Sequence, residues 1–367
     1  MVTLRPLRIF LGLVASLLVS PFGVHAQQPA QPANPPPRPS WSAPPSQAPE
    51  PGQKAPAAQN PADPGQAAQN KMPPIVSTTG LVHLVATVTD RRHNFVTDLE
   101  QSDFKILEDN TPQDIRFFGR ETDLPLRIGV LLDTSNSIRP RLAFEQDAAI
   151  DFLDGVIRRN KDMAFLMTFD NEPDVIQDYT GDLGLLTAAI RKQRAGGGTA
   201  LNDAIYRASE KLSNPPLPNG PNPEVRRVIV VISDGDDNLS DHALSDAIES
   251  AIRAESAIYA ISTNTDWLSI SGDKPRKIHV EGGDKILEEY SEQTGGRVFY
   301  PYKVEDLAQS FVDIGTELRS QYFIAYSPKD TEVAGKYRKI EVETDRKGLA
   351  VRTRKGYYSV APSLPGK

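Results

Sequence analysis

The chain has 367 residues, a formal net charge of −7 at pH 7 and no cysteine. That charge lacks the basic footprint that nucleic-acid binding needs, and the missing cysteines exclude a disulfide framework, a thiolate metal site, a cysteine nucleophile and a lipid anchor on an N-terminal cysteine. The length suits one large domain with smaller pieces attached.

The first 26 residues have the order of an export signal. Arg5 and Arg8 make a basic start, Ile9–Val19 is apolar apart from Gly12 and Ser16, and Val24-His25-Ala26 is a cleavage pattern. An uncleaved anchor is the alternative, but the apolar run falls short of the roughly 20 residues a spanning helix needs. Residues 27–74 are mostly Pro, Ala, Gln and Asn and hold about half of the chain's 31 prolines. With so little apolar surface to bury, this segment is expected to be a disordered, semi-extended linker.

From residue 75 to 122 the pattern has period two. Val82, Leu84, Ala86 and Val88 alternate with His83, Val85, Thr87 and Thr89, as in a strand with one apolar face. Phe104–Asn110 and Asp114–Phe118 predict two more strands, and three short strands are marginal by themselves. Next comes Arg127–Ser137, the stretch around which the chain is organised. Its apolar run Ile128–Leu132 reads as a buried parallel strand, and it ends in Asp133, Ser135 and Ser137. A helix over Arg141–Arg159, a strand over Met163–Phe169 and an edge strand over Val175–Tyr179 follow.

Gly196-Gly197-Gly198-Thr199 opens a helix that runs to about Leu212. The loop lacks the Gly-Lys-Ser/Thr ending of a phosphate-binding loop, leaving a capped helix with an exposed Thr199 hydroxyl. Arg227–Ile232 is a second apolar strand, and it delivers Ser233-Asp234-Gly235-Asp236-Asp237 at its end. Helices over Ser240–Arg253, Lys285–Thr294 and Val304–Arg319 alternate with strands over Ala257–Ser262 and Arg297–Tyr300. The polar segment Trp267–Glu281 is long enough for a functional loop. The expected fold class is therefore α/β, a doubly wound and mostly parallel sheet over 123–319 with helices on both faces. Strands over Tyr322–Tyr326, Lys336–Glu343 and Gly348–Arg354 are expected to pair, within 320–361, with those of 75–122 in a small flanking β unit.

Ligands of open α/β sheets bind at the carboxyl ends of the strands. Carboxylate and hydroxyl oxygens there suit a hard divalent ion, although an Asp/Ser turn that caps a helix reads the same way. The set Asp133-x-Ser135-x-Ser137, Thr199 after a glycine turn and Asp234-Gly235 after an apolar strand resembles the von Willebrand factor type A (VWA) domain. The flanking Asp103-Phe104-Lys105-Ile106-Leu107-Glu108-Asp109-Asn110-Thr111-Pro112-Gln113 stretch and the closing Arg354-Lys355-Gly356-Tyr357-Tyr358 are similar to those of a secreted group of VWA-related proteins of Acidobacteria.

The resemblance implies a metal-ion-dependent adhesion site. Asp133, Ser135, Ser137, Thr199 and Asp234 would surround one Mg²⁺ or Mn²⁺. Ser135 and Ser137 would bind it directly, Thr199 in a ligand-engaged state, and the two aspartates partly through water. Asp236 and Asp237 add charge nearby. An Asp or Glu of a partner protein would complete the coordination, so the expectation is an exported protein-interaction module and not an enzyme. Two alternatives stay open. One is a structural or regulatory domain with a vestigial site. The other is a metal-dependent hydrolase, for which His242 is the histidine nearest in sequence to a motif strand. The partner's identity and the oligomeric state are not encoded in any motif.

Overall fold

The computed structural model describes residues 80–120, 124–217, 224–264, 282–301, 304–330 and 334–359. The export signal, the proline-rich linker and the Trp267–Glu281 loop lie outside these residues.

Four short strands come first: β1 (Val82–Thr89), β2 (Phe104–Glu108), β3 (Thr111–Gln113) and β4 (Ile115–Arg120). Val82, Leu84, Ala86 and Val88 all point inward, as the alternation of side chains along a strand requires. Asp109 and Asn110, at φ 46° and 64°, make the left-handed two-residue turn that joins β2 to β3. The stretch Phe104–Asn110, read from the sequence as a strand ending in a turn, is thus the first arm and the turn of a hairpin.

Strands and helices then alternate: β5 (Leu126–Asp133), α1 (Leu142–Val156), β6 (Met163–Phe169), β7 (Pro173–Thr180), α2 (Leu183–Arg191), α3 (Leu201–Ser213), β8 (Arg226–Ser233), α4 (Leu244–Arg253), β9 (Ser256–Ser262), α5 (Gly282–Thr294), β10 (Val298–Phe299) and α6 (Val304–Leu318). The six strands make one sheet in the order β10-β9-β8-β5-β6-β7. Every neighbouring pair is parallel except β6 with β7. The chain winds outward in one direction from β5 through β6, and in the other from β8 through β9. The boundary between β5 and β8 is the topological switch point, where doubly wound sheets hold their ligands.

All eight residues of β5 are buried, because helices cover both of its faces. Ile128, Val130 and Leu132 pack into the core formed with α1, α2 and α6. Leu131 faces the opposite core, formed with α3, α4 and α5. This two-sided burial is why the sequence shows an unbroken apolar run here.

Strand β3 was not anticipated, and helices α2 and α4 also differ from the sequence expectation. Helix α2 falls in a stretch for which no helix was anticipated. Asp182 caps it by accepting from Gly184 N at 2.8 Å, and Leu186, Ala189 and Ile190 form its buried stripe; Gly181 and Gly184 obscure the pattern. Helix α4 begins at Leu244, not Ser240, because the residues before it are tied down elsewhere. Ser240 Oγ donates to Asp237 at 2.6 Å, and the backbone N–H groups of Asp241 and His242 donate to Asp203.

The chain ends in β11 (Tyr322–Tyr326), β12 (Tyr337–Thr344), β13 (Ala350–Arg352) and β14 (Gly356–Tyr358). They join the first four strands in two antiparallel sheets, β13-β1-β11-β4 and β14-β12-β2-β3. Neither end of the chain supplies a sheet without the other: β1 pairs with β11 and β13, and β2 pairs with β12. Leu84, Val88, Phe104, Tyr322, Ile324 and Tyr326 share the core of this flanking unit. The rings of Phe104, Phe118 and Tyr322 meet there at 5.2–5.6 Å. Among the described residues no helix is long and apolar enough to cross a membrane.

Candidate metal centre

The carboxyl ends of β5 and β8 bring four of the five motif residues into one hydrogen-bonded cluster. Asp133 closes β5 and is fully buried. One of its oxygens accepts the Ser135 N–H at 2.8 Å, which folds the chain back over it. The other accepts the Ser233 hydroxyl at 2.7 Å, a tie across the switch point to β8. Ser135 Oγ lies 2.9 Å from Ser137 Oγ, and Ser137 Oγ donates to Asp234 Oδ2 at 2.8 Å. A continuous run of oxygens thus leads from one strand end to the other.

Thr199 makes no hydrogen bond to this cluster among the described contacts; the glycine loop before it does the tying. Gly196 N donates to Thr134 O at 2.8 Å and Asn136 N donates to Gly197 O at 3.2 Å, so the glycine loop is laced to the Asp133–Ser137 loop. Thr199 N donates to Asn238 Oδ1 at 3.0 Å. The N–H groups of Asn238 and Leu239 return to Thr199 O. Thr199 is itself buried. Asp237 turns away to the start of α3, accepting from Asn202 N at 2.8 Å. Asp236 N donates to Asp234 Oδ1 at 3.2 Å.

His242 is held by two contacts. Its Nδ1 is 2.7 Å from Asp203 Oδ1, and its ring stacks on Tyr206 with centroids 3.9 Å apart. These contacts fix the loop between β8 and α4 against α3.

A close backbone approach sets the position of Asp234. Gly235, at φ +80°, has room for no side chain: a Cβ there would lie 2.2 Å from Gly283 O. A Cβ on Gly283 would in turn lie 2.1 Å from Asp234 O. Asn264 Nδ2 supports the same carbonyl at 2.7 Å. Gly283→Ala is therefore expected to push the Asp234 loop off α5, at a cost of about 1–3 kcal/mol for overpacking. Thermal unfolding checks the cost, and a Mn²⁺ titration of the same variant checks the displacement of Asp234, with weakened binding as the expected result.

Electrostatics single out two carboxylates. Burial pushes Asp133 up to about 6; the charge of Asp234 adds to the rise, while hydrogen bonds from Ser135 and Ser233 oppose it. Burial also pushes Glu145 up to about 8, with Asp133 and Asp234 adding to it and Arg141 opposing. A bound divalent cation reverses this logic by favouring the ionised forms. The donors are carboxylate and hydroxyl oxygens, the set that suits Mg²⁺ or Mn²⁺. Among the described residues no three His, Cys, Asp or Glu side chains group as metal ligands, so hydroxyls would have to make up the set. The residues present fit such an ion.

The sequence reading gave Ser233 no role of its own and assigned nothing to Asn238, Asn264 or Glu145. Ser233 and Asn238 stand directly beside motif residues, but their roles depend on which way the loop turns. Glu145 did carry a signal, since a charged residue occupies the apolar stripe of α1.

Residues 128–236 match the sequence model of the von Willebrand factor type A domain. The chain carries a domain of that class, and its α/β sheet with added antiparallel sheets is the corresponding fold. Among solved structures it is similar to an aerotolerance-related membrane protein from Bacteroides fragilis, with 19% identity over 53% of this chain and 98% of that one and a TM-score of 0.40. It is also similar to BatB from Bacteroides thetaiotaomicron, with 16% identity over 52% of this chain and 99% of that one and a TM-score of 0.39. A von Willebrand factor type A protein from Catenulispora acidiphila shows 11% identity over 78% of this chain and 74% of that one, with a TM-score of 0.43. No curated protein matches the chain.

Proposed function

We propose that the protein is an exported, metal-dependent protein-interaction module of the secreted VWA-related type. Asp133, Ser135, Ser137, Thr199 and Asp234 would hold one Mg²⁺ or Mn²⁺, and a partner's Asp or Glu would complete its coordination. The observation that carries this reading is the convergence of Asp133, Ser135, Ser137 and Asp234 at the switch point between β5 and β8. When bound, the ion supplies an electrophilic point for a carboxylate oxygen. The protein's own residues would hold it at the sheet's end: Asp133 anchors the loop, and the hydroxyls would add donors without charge. A hydrolase would need a base beside the ion, and among the described residues no hydrogen bond joins His242 to Asp133, Ser135, Ser137 or Asp234; its partners are Asp203 and Tyr206.

The export reading rests on the basic start, the apolar run and the cleavage pattern within residues 1–26. Protein recovered from the exported fraction, with Gln27 as its expected first residue, is to be tested against immobilised peptides bearing single Asp or Glu residues. Binding is expected in Mg²⁺ and is expected to vanish with chelator. Binding that persists in chelator would sink the interaction reading.

A further inference from the structure

Glu145 is a buried acid that the five-residue motif leaves unexplained. It lies in the first turn of α1, one turn after Leu142 and one before Ala149, both part of the core. This spacing places it on the inward stripe of the helix, and it is 1% exposed. Neither carboxylate oxygen has a hydrogen-bond partner among the described residues. A carboxylate buried this way costs several kcal/mol unless something neutralises it. The charged groups that act on it are Asp133 and Asp234, which oppose its ionisation, and Arg141, which favours it.

Arg141 does not resolve the problem. It precedes α1, forms no hydrogen bond to Glu145 among the described contacts, and one positive charge stands against three negative ones. A third acid on the inward face of α1 is unfavourable for a protein that holds no cation, and it becomes favourable once a divalent ion sits between Asp133 and Asp234. Mg²⁺ keeps several of its waters when bound, and those waters are donors without protein acceptors. Glu145 is an acceptor without a donor.

We infer that Glu145 belongs to the cation site as a third carboxylate, accepting hydrogen bonds from the ion's retained waters on the side facing α1. This inference rests on the metal reading above. Its consequence is that a third negative charge acts on the ion through its waters, so the protein retains it without waiting for a partner's carboxylate.

The test is a calorimetric titration of Mg²⁺ and Mn²⁺ into the full chain, with Glu145→Gln, Glu145→Ala and Asp133→Ala beside the wild type. Wild-type binding is expected to weaken at least about tenfold in both Glu145 variants, as for other groups that orient a metal's ligands, and to be lost in Asp133→Ala. Melting temperatures in chelator separate this from a packing effect. Glu145→Gln is expected to melt no lower than wild type there, because it replaces a buried carboxyl that has no hydrogen-bond partner by a neutral group of the same shape, yet to gain less from Mg²⁺. Glu145 variants that bind like wild type, while Asp133→Ala does not, would overturn the inference and leave the metal site standing. No saturable binding by the wild type would overturn both.

Discussion

Glu317→Ala is expected to destabilise the protein by about 3–5 kcal/mol, the cost of breaking a buried ion pair by removing one partner. Glu317 lies near the end of α6 and is fully buried. Its Oε1 accepts from Tyr259 OH at 2.7 Å, from Thr87 Oγ1 at 3.1 Å and from Arg352 Nη2. Gln321, just past the helix, adds Nε2 contacts to Thr87 at 2.6 Å and to Tyr259 at 3.1 Å. Tyr259 belongs to β9 of the central sheet, whereas Thr87 and Arg352 belong to β1 and β13 of the flanking unit. One carboxylate therefore ties the VWA domain to strands from both ends of the chain. Burial works against the Arg352 guanidinium, but Glu317 and Tyr259 outweigh it and hold its pKa above the ordinary value. Burial and the Glu317 charge likewise keep the Tyr259 phenol protonated.

Removing Glu317 strands Arg352 and leaves two hydroxyls without their acceptor, so the loss should exceed that of an isolated surface pair, about 0–1 kcal/mol. Urea unfolding checks the magnitude. A double-mutant cycle with Arg352→Ala then isolates the pair: a coupling energy within experimental error of zero would mean the network contributes nothing beyond packing.

Asp133→Ala is expected to have its large effect on ion binding and a smaller one on the fold. In chelator the variant loses two accepted hydrogen bonds, from Ser135 N and Ser233 Oγ, but it also sheds a carboxylate that burial makes costly to ionise. These opposing terms leave a modest net change. In Mg²⁺ the two proteins should part. A site filled at about one hundred times its Kd stabilises the native state by about 2.7 kcal/mol, and only the wild type should gain it. Equal gains in wild type and variant would place any bound ion elsewhere.

Much of this was legible in the sequence because the central strands are buried on both faces. Ile128–Leu132 and Arg227–Ile232 are unbroken apolar runs, and an Asp at the end of each is conspicuous for that reason. The return of the C-terminal strands to the N-terminal ones was also readable, since neither set makes a sheet by itself. Helix α2 was not, because its glycines mask an Asp182 cap. The start of α4 was misplaced because Ser240 and His242 obey Asp237 and Asp203, contacts that local pattern does not encode. Glu145 shows the same limit in the site. Its position on the helix stripe was visible, but its lack of a partner appears only when α1 is packed over the ends of β5 and β8.

The most direct test of the metal site is calorimetric titration of the full chain with Mg²⁺ and Mn²⁺, alongside Asp133→Ala. Single-site saturation in the wild type, absent in the variant, is the predicted result. Binding of the same stoichiometry and affinity in both proteins, or no saturable binding in either, would contradict it.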